Sequence, residues 1–187
     1  MDVVTEAYDG VASNSKSCCV SSVTNGARIG YDDEDARYAG TSLLGVGCGV
    51  PVKFAKIKEK EIVVDLGCGA GGDAFLAFKA TRGGRVVGVD ASVKMIERAR
   101  ARGNELGLRQ PEDVEFILAA LERVPLASAS VDCVLSNCVI NLCENKIAAL
   151  SEAYRVLKPN GRLAIADVVS RGKTLPESMR TAEALVC

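Results

Sequence analysis

Ile62-Val63-Val64-Asp65-Leu66-Gly67-Cys68-Gly69-Ala70-Gly71 is an apolar run that breaks into a glycine-rich turn. A helix-like stretch follows from Gly72. The run reads as a buried strand. Gly67, Gly69 and Gly71 let the backbone turn tightly and approach a ligand where a Cβ would collide. The next strand-like run, Arg85 to Asp90, ends in an acid about twenty residues further on, the spacing of a carboxylate that holds ribose hydroxyls. One end of a parallel sheet is thus prepared for a nucleoside.

Outward from this stretch the pattern stays regular. Strands are expected at 62–66, 85–90, 113–118, 131–136 and 162–168, and helices at 72–81, 91–106, 144–156 and 176–186. Val93, Ile96, Ala99 and Leu106 recur at helical spacing in the second helix, with Ser92 as its cap. Ile147, Leu150, Ala153, Tyr154 and Leu157 read as the apolar stripe of the third. Pro159-Asn160-Gly161 stops that helix and turns into the last strand. Alternating strands and helices predict an α/β, doubly wound, mostly parallel sheet with helices on both faces. Five strands are fewer than such sheets usually carry, so the last strands are expected to be lacking. Residues 1–45 differ from the rest: they are rich in Ser, Asp, Gly and Asn and hold Cys18 and Cys19, with a short helix near Thr5 to Tyr8. They read as an N-terminal cysteine-containing segment before a core at 46–187, with another short helix from Pro51 to Lys56.

Composition bounds the function. The chain has 187 residues, 48% of them hydrophobic, a net charge of −1 and no histidine or tryptophan. Histidine general-base chemistry and histidine metal ligation are excluded. No basic run points to nucleic acid, and no apolar run approaches the ~18 residues that span a bilayer. The first twenty residues lack an export pattern, so a cytoplasmic protein is expected. Eight cysteines stand out: Cys18, Cys19, Cys48, Cys68, Cys133, Cys138, Cys143 and Cys187. Thiols in a reducing compartment serve metals, catalysis or redox exchange more often than disulfide scaffolding. Cys68 reads as a small residue of the glycine loop and Cys133, among Val131, Val134 and Leu135, as core.

The glycine pattern separates two nucleosides. Dinucleotide binders carry G-x-G-x-x-G, with pyrophosphate on the helix N-terminus. Here Asp65 precedes Gly67, Gly69 and Gly71, and an acid at that point suits an ammonium group better than a phosphate. This is the pattern of S-adenosylmethionine-dependent class I methyltransferases, with a Rossmann-like sheet. That resemblance puts Asp65 and the glycines at the methionine moiety, Asp90 at the ribose, and Leu121 and Glu122 near adenine. The competing reading is a glycine turn that merely joins strand to helix, with Asp90 a surface acid.

Ser136-Asn137-Cys138-Val139-Ile140-Asn141-Leu142 lies at the C-terminal end of the fourth strand, where open parallel sheets bind ligands. Cys138 there sets a soft sulfur beside the methyl donor. Cys48, in Gly45-Val-Gly-Cys-Gly-Val-Pro51, has glycines that let it fold over the same end. Thiolates from different segments bind a trivalent soft metalloid. At these residues the chain resembles the arsenite methyltransferases. Tyr8-Asp-Gly-Val11, Leu44-Gly-Val-Gly-Cys-Gly49, Asp65-Leu-Gly-Cys-Gly-Ala-Gly-Gly-Asp73, Ser136-Asn-Cys-Val-Ile-Asn-Leu142 and Glu152-Ala-Tyr-Arg-Val-Leu-Lys158 carry the likeness.

The resemblance implies that As(III), as arsenite or its glutathione conjugate, is held at Cys138 and Cys48, with a partner cysteine after the fifth strand. Its lone pair attacks the sulfonium methyl, so no general base is needed. It also implies Asn137 in the cofactor site. Cys48 and one of Cys18 or Cys19 then run a thiol–disulfide relay with thioredoxin or glutathione as reductant. In the family a last cysteine follows the Leu175-Pro-Glu-Ser-Met-Arg180 segment. Either Cys187 takes that role or the proper cysteine lies beyond it. Two alternatives remain on the residues: a class I methyltransferase of a small organic molecule, and a non-catalytic arsenite-binding protein.

Overall fold

In a computed structural model the chain is described over residues 3–13, 30–169 and 172. Cys18, Cys19, Cys187 and the expected 176–186 helix lie outside the described residues. In chain order the elements are α1 (Val3–Ala12), α2 (Asp33–Ala39), α3 (Pro51–Phe54), β1 (Ile62–Leu66), α4 (Gly72–Thr81), β2 (Arg85–Asp90), α5 (Val93–Glu105), β3 (Val114–Leu118), β4 (Val131–Asn137), α6 (Lys146–Val156) and β5 (Leu157–Ala166). Short 3₁₀ turns at Gly40–Ser42, Leu121–Arg123 and Ile140–Leu142 join them.

The five strands form one sheet in the order β3-β2-β1-β4-β5, every pair parallel. Both faces are covered, so the strands read as apolar runs without alternation. Val63, Val86, Val114, Phe116 and Leu135 pack with Phe75 of α4 and Ile96 and Ala99 of α5. Val64, Leu66, Val87, Val89 and Val134 pack with Ala149, Ala153 and Val156 of α6. The expected strands and the helices at 72–81, 91–106 and 144–156 are present within a few residues, and Ser92 caps α5 by accepting from the Met95 amide at 3.1 Å. Asn145 caps α6 in the same way, accepting from the Ala148 amide at 3.0 Å.

Three expectations are corrected. The stripe on α6 is rotated: Ile147, Leu150 and Tyr154 are exposed, and the small residues Ala149 and Ala153 meet the sheet. Polar neighbours set that rotation. Glu152 accepts from the Val124 amide at 2.8 Å, and Arg155 donates to the carbonyls of Val124 and Leu126 at 2.8 and 2.7 Å. These bonds satisfy the connection between β3 and β4 and turn the bulkier side chains outward. On α5, Val93 is exposed and Met95 is fully buried in its place. Finally, β5 starts at Leu157 and takes Pro159-Asn160-Gly161 as a bulge, with Asn160 left-handed at φ 66° and the register shifted between Val131 and Cys133.

Strand order reverses between β1 and β4. In open parallel sheets a crevice opens at the carboxyl ends of strands at such a point. The register sharpens this. Leu66 pairs with Ser136, so Gly67 lies beside Asn137; Asn137 pairs with Ala166, so Cys138 lies beside Asp167.

Candidate functional site

A cavity of about 600 Å³ opens at this switch point. Its floor is the glycine loop. Gly67 is left-handed at φ 73°, and a Cβ there would sit 2.5 Å from the Val139 side chain. Asp65 stands at the end of β1, 1% exposed, and its Oδ2 has no hydrogen-bond partner. Burial, and then the charges of Asp73 and Asp90, push its carboxyl well above the usual range. A buried, unpartnered carboxylate oxygen costs several kcal/mol unless a cation or donor meets it. Asp90 is differently placed: it accepts from the Gly69 and Ser92 amides, each at 2.8 Å, and so ties the loop to α5. Burial raises its carboxyl too. Leu121 and Glu122 line the same cavity.

Helix α1 closes one side of it with Val4, Thr5 and Tyr8. The helix is docked by the Ser92 hydroxyl on Asp9 and by Arg98 on the Ala12 carbonyl at 2.7 Å.

The sequence reading missed two groups here. Tyr31 donates to Asp73, at 3.0 Å from both carboxyl oxygens, and Asn137 donates to Asp73 Oδ2 at 2.8 Å. Desolvation lifts Asp73 to about 6, against these donors, and burial with the Asp73 charge raises the Tyr31 phenol. Asp73 sits two residues after the third glycine of the loop, a signal that was available. Tyr31 gave none: it arrives from the loop before α2. Asn137, expected in the cofactor site, lines the cavity, while its side-chain polar atoms bond protein partners. Beyond Asp73 it donates to the Gly49 carbonyl at 2.8 Å, and its Oδ1 accepts from the Cys48 amide at 2.9 Å. It therefore pins the Cys48 loop to β4. Gly47 and Gly49 make that approach possible, since a Cβ on Gly47 would lie 2.8 Å from the Asn137 amide nitrogen and one on Gly49 3.0 Å from Ala166.

Cys48 and Cys138, 90 residues apart, meet above the cavity in a disulfide with Cα atoms 5.4 Å apart. Cys138 is left-handed at φ 58°, which costs a non-glycine residue about 1–2 kcal/mol. Its amide, donating to the Ala166 carbonyl at 2.7 Å, holds it there. The Asp167 carboxylate completes a group of three in which the two sulfurs and one oxygen lie within 4.8 Å of one another. Asp167 was also missed, although an acid directly after the last strand was the available signal.

The remaining described cysteines differ. Cys68 and Cys133 are buried, and Cys143 is half-buried. Burial raises the Cys68 thiol well above its ordinary value and lifts Cys133 and Cys143 to about 11, so all three stay protonated near neutrality.

The "Methyltransferase domain" family model matches residues 57–187. The chain belongs to that family. S-adenosylmethionine is its cofactor, and this pocket fits it. The orphaned Asp65 oxygen suits an ammonium, and the glycine cradle leaves space that a Cβ would fill. The chain is 39% identical to an arsenite methyltransferase of Halobacterium salinarum, over 90% of this chain and 47% of that protein. It is similar to a solved arsenic (III) S-adenosylmethionine methyltransferase, CrArsM of Chlamydomonas reinhardtii, with 36% identity, a TM-score of 0.66, and coverage of 80% of this chain and 53% of the other. A malonyl-[acyl-carrier protein] O-methyltransferase of Serratia marcescens is 33% identical over 76% of this chain and 49% of its own. The chain thus spans about half the length of these relatives. Among the described residues no helix is long and apolar enough to cross a membrane.

Proposed function

We propose that the protein methylates thiol-bound As(III) in a cytoplasmic arsenic-detoxification reaction. One observation carries this reading: two cysteines from distant segments meet at the mouth of the methyl-donor cavity. A small organic acceptor, such as the malonyl relative uses, gives no reason for that pairing.

S-adenosylmethionine supplies an electrophilic methyl group when bound. The chain's residues do the rest. Asp65 would meet the ammonium, Asp90 would meet the ribose while holding the Gly69 amide, and Leu121 and Glu122 would border the base. Cys138 and Cys48, as thiolates, replace the oxygen or glutathione ligands of arsenite and keep its lone pair toward the donor. The As–C bond would form as the methyl–sulfonium bond breaks, its electron pair leaving on the thioether sulfur, and arsenic would go formally from III to V. Two thiols then return two electrons to arsenic and become a disulfide. Thioredoxin or glutathione reduces that disulfide, supplying two electrons and two protons. Because Cys48 is bonded to Cys138, this pair, and not Cys48 with Cys18 or Cys19, is the one we assign to that oxidation. Cys18, Cys19 and Cys187 are candidate further thiols in the relay.

The test is incubation of the protein with glutathione and methyl-labelled cofactor, with arsenite or, in parallel, with a malonyl thioester as acceptor. Labelled methylarsenic supports the reading. Arsenite binding without turnover points to sequestration, and label on malonyl thioester alone points to the organic acceptor; either outcome overturns it.

A further inference from the structure

We infer that, once reduced, Cys48, Cys138 and Asp167 form a two-sulfur, one-oxygen site for a borderline or soft divalent cation of the zinc and cadmium class. The inference rests on the Cys48–Cys138 pair described above, not on the identity of the methyl acceptor.

The donor set decides the class of ion. Trivalent arsenic takes sulfur, and a carboxylate oxygen adds little to its binding. A zinc-class ion takes thiolate and carboxylate together, leaving a fourth position for water. The three donor atoms already lie within 4.8 Å of one another. Bonded to one ion at about 2.3 Å for sulfur and about 2.1 Å for oxygen, they would sit roughly 4 Å apart. Little movement separates the two arrangements once the disulfide opens.

The carboxylate is also held as a ligand should be. The Asn141 side chain donates to Asp167 Oδ1 at 2.8 Å, and the Asn141 amide donates to Oδ2 at 3.2 Å. The Val168 amide adds a bond to Oδ1 at 2.8 Å. Among the described residues no lysine or arginine forms an ion pair with it, so its charge is available to a cation. Bonds of this kind orient a metal ligand and set its affinity. The adjacent β4 and β5 ends fix the spacing, because Asn137 pairs with Ala166 and the next residues are Cys138 and Asp167.

The chemistry balances. An external dithiol reduces the Cys48–Cys138 bond to two thiols and becomes a disulfide itself. The divalent cation then displaces two thiol protons and binds both sulfurs and the carboxylate. Cation and metalloid compete for the same sulfurs, so a zinc-class ion is an inhibitor of any chemistry these thiols perform.

Dithiol-reduced protein, desalted without oxygen, is titrated with cadmium chloride, and the ultraviolet thiolate-to-cadmium charge-transfer band is followed. Wild type is expected to bind one ion whose affinity falls at least about tenfold in Asp167→Asn and less in Asn141→Ala. Asp167→Cys should strengthen both band and affinity. Unchanged cofactor binding shows that each variant is folded. Cadmium affinity that ignores all three changes, or no band in reduced wild type, overturns the site. If cadmium binds in this way but no methylarsenic forms, the acceptor assignment fails and the site stands. If methylarsenic forms while cadmium ignores Asp167, the site alone fails.

Discussion

The cofactor floor and the thiol rim lie side by side at the carboxyl end of the sheet, yet they are built in opposite ways. The floor is one continuous stretch, Asp65 to Asp73, closed over by α1, with its carboxylates buried and their pKa values raised. The rim is assembled from three separated segments that carry Cys48, Cys138 and Asp167, with Cys48 exposed and the other two half-buried. A floor of this kind binds by holding a buried carboxyl whose ionised form becomes favourable only when a cation meets it. A rim of this kind brings sulfurs from distant segments within reach of one another and, at Cys48, of solvent. The same contrast separates Cys138 from Cys133: both are on or just after β4, but Cys133 is sealed in the core and held as a thiol.

The largest effect expected is from Cys138→Ser. Methylation of arsenic should fall to background while cofactor binding, read by calorimetry, stays within about twofold, since only the rim is cut. Arsenic methylation that survives would break the division of labour.

Next is Asp65→Asn. Losing the charge that meets the ammonium should weaken cofactor binding by about 1.5–3 kcal/mol, roughly ten- to 150-fold. The same change should leave the cofactor-free protein at least as stable, because burial, which raises the Asp65 carboxyl, makes its ionised form costly there. Weaker binding together with lower stability would show that Asp65 is structural.

Gly67→Ala comes third. A Cβ 2.5 Å from Val139 at φ 73° should cost about 2 kcal/mol of stability by denaturant unfolding, and cofactor affinity with it. Gly107→Ala, with φ 70° but nothing within 4 Å, is the control that carries the backbone cost alone.

Smaller still is the pH dependence of the floor. Asp73 is raised to about 6, so the native state binds its proton more tightly than the unfolded chain does. Its contribution to stability is fully present below about 4 and is lost as pH rises through about 6. Glu61, held down first by the hydrogen bond from Arg162, and Asp132, held down against desolvation by bonds from Lys158 and the Ile62 amide, act in the opposite sense: their contribution is present above about 4 and lost as pH falls. The difference between wild type and Asp73→Asn isolates the first effect, and identical slopes from pH 4 to 6 would sink it. Tyr31→Phe, which removes one donor from Asp73, should cost about 1 kcal/mol in unfolding experiments.

Much of the floor was legible because its signals are local. Asp65, the three glycines and Asp90 are fixed by one strand, one turn and the next strand end, and periodicity located each of them. Five parallel strands followed from the same alternation. The stripe on α6 was misplaced because size alone favours Ile147, Leu150 and Tyr154, whereas Glu152 and Arg155 spend their polar groups on the β3–β4 connection and fix the rotation. Tyr31 was illegible: its partner is 42 residues away and no pattern joins them.

By itself the sequence determined an α/β nucleoside-binding sheet, because turn chemistry and strand periodicity act over a few residues, and it supplied the cysteines. Only tertiary structure decided which sulfurs meet. Strand order 3-2-1-4-5 brings β1, β4 and β5 side by side, and their register sets Gly67, Asn137, Cys138 and Asp167 in a row. The Asn137 amide then draws the Cys48 loop down onto them. Contacts across 90 residues of chain are set by packing and by the need to satisfy buried polar groups, and neither leaves a periodic mark on the sequence.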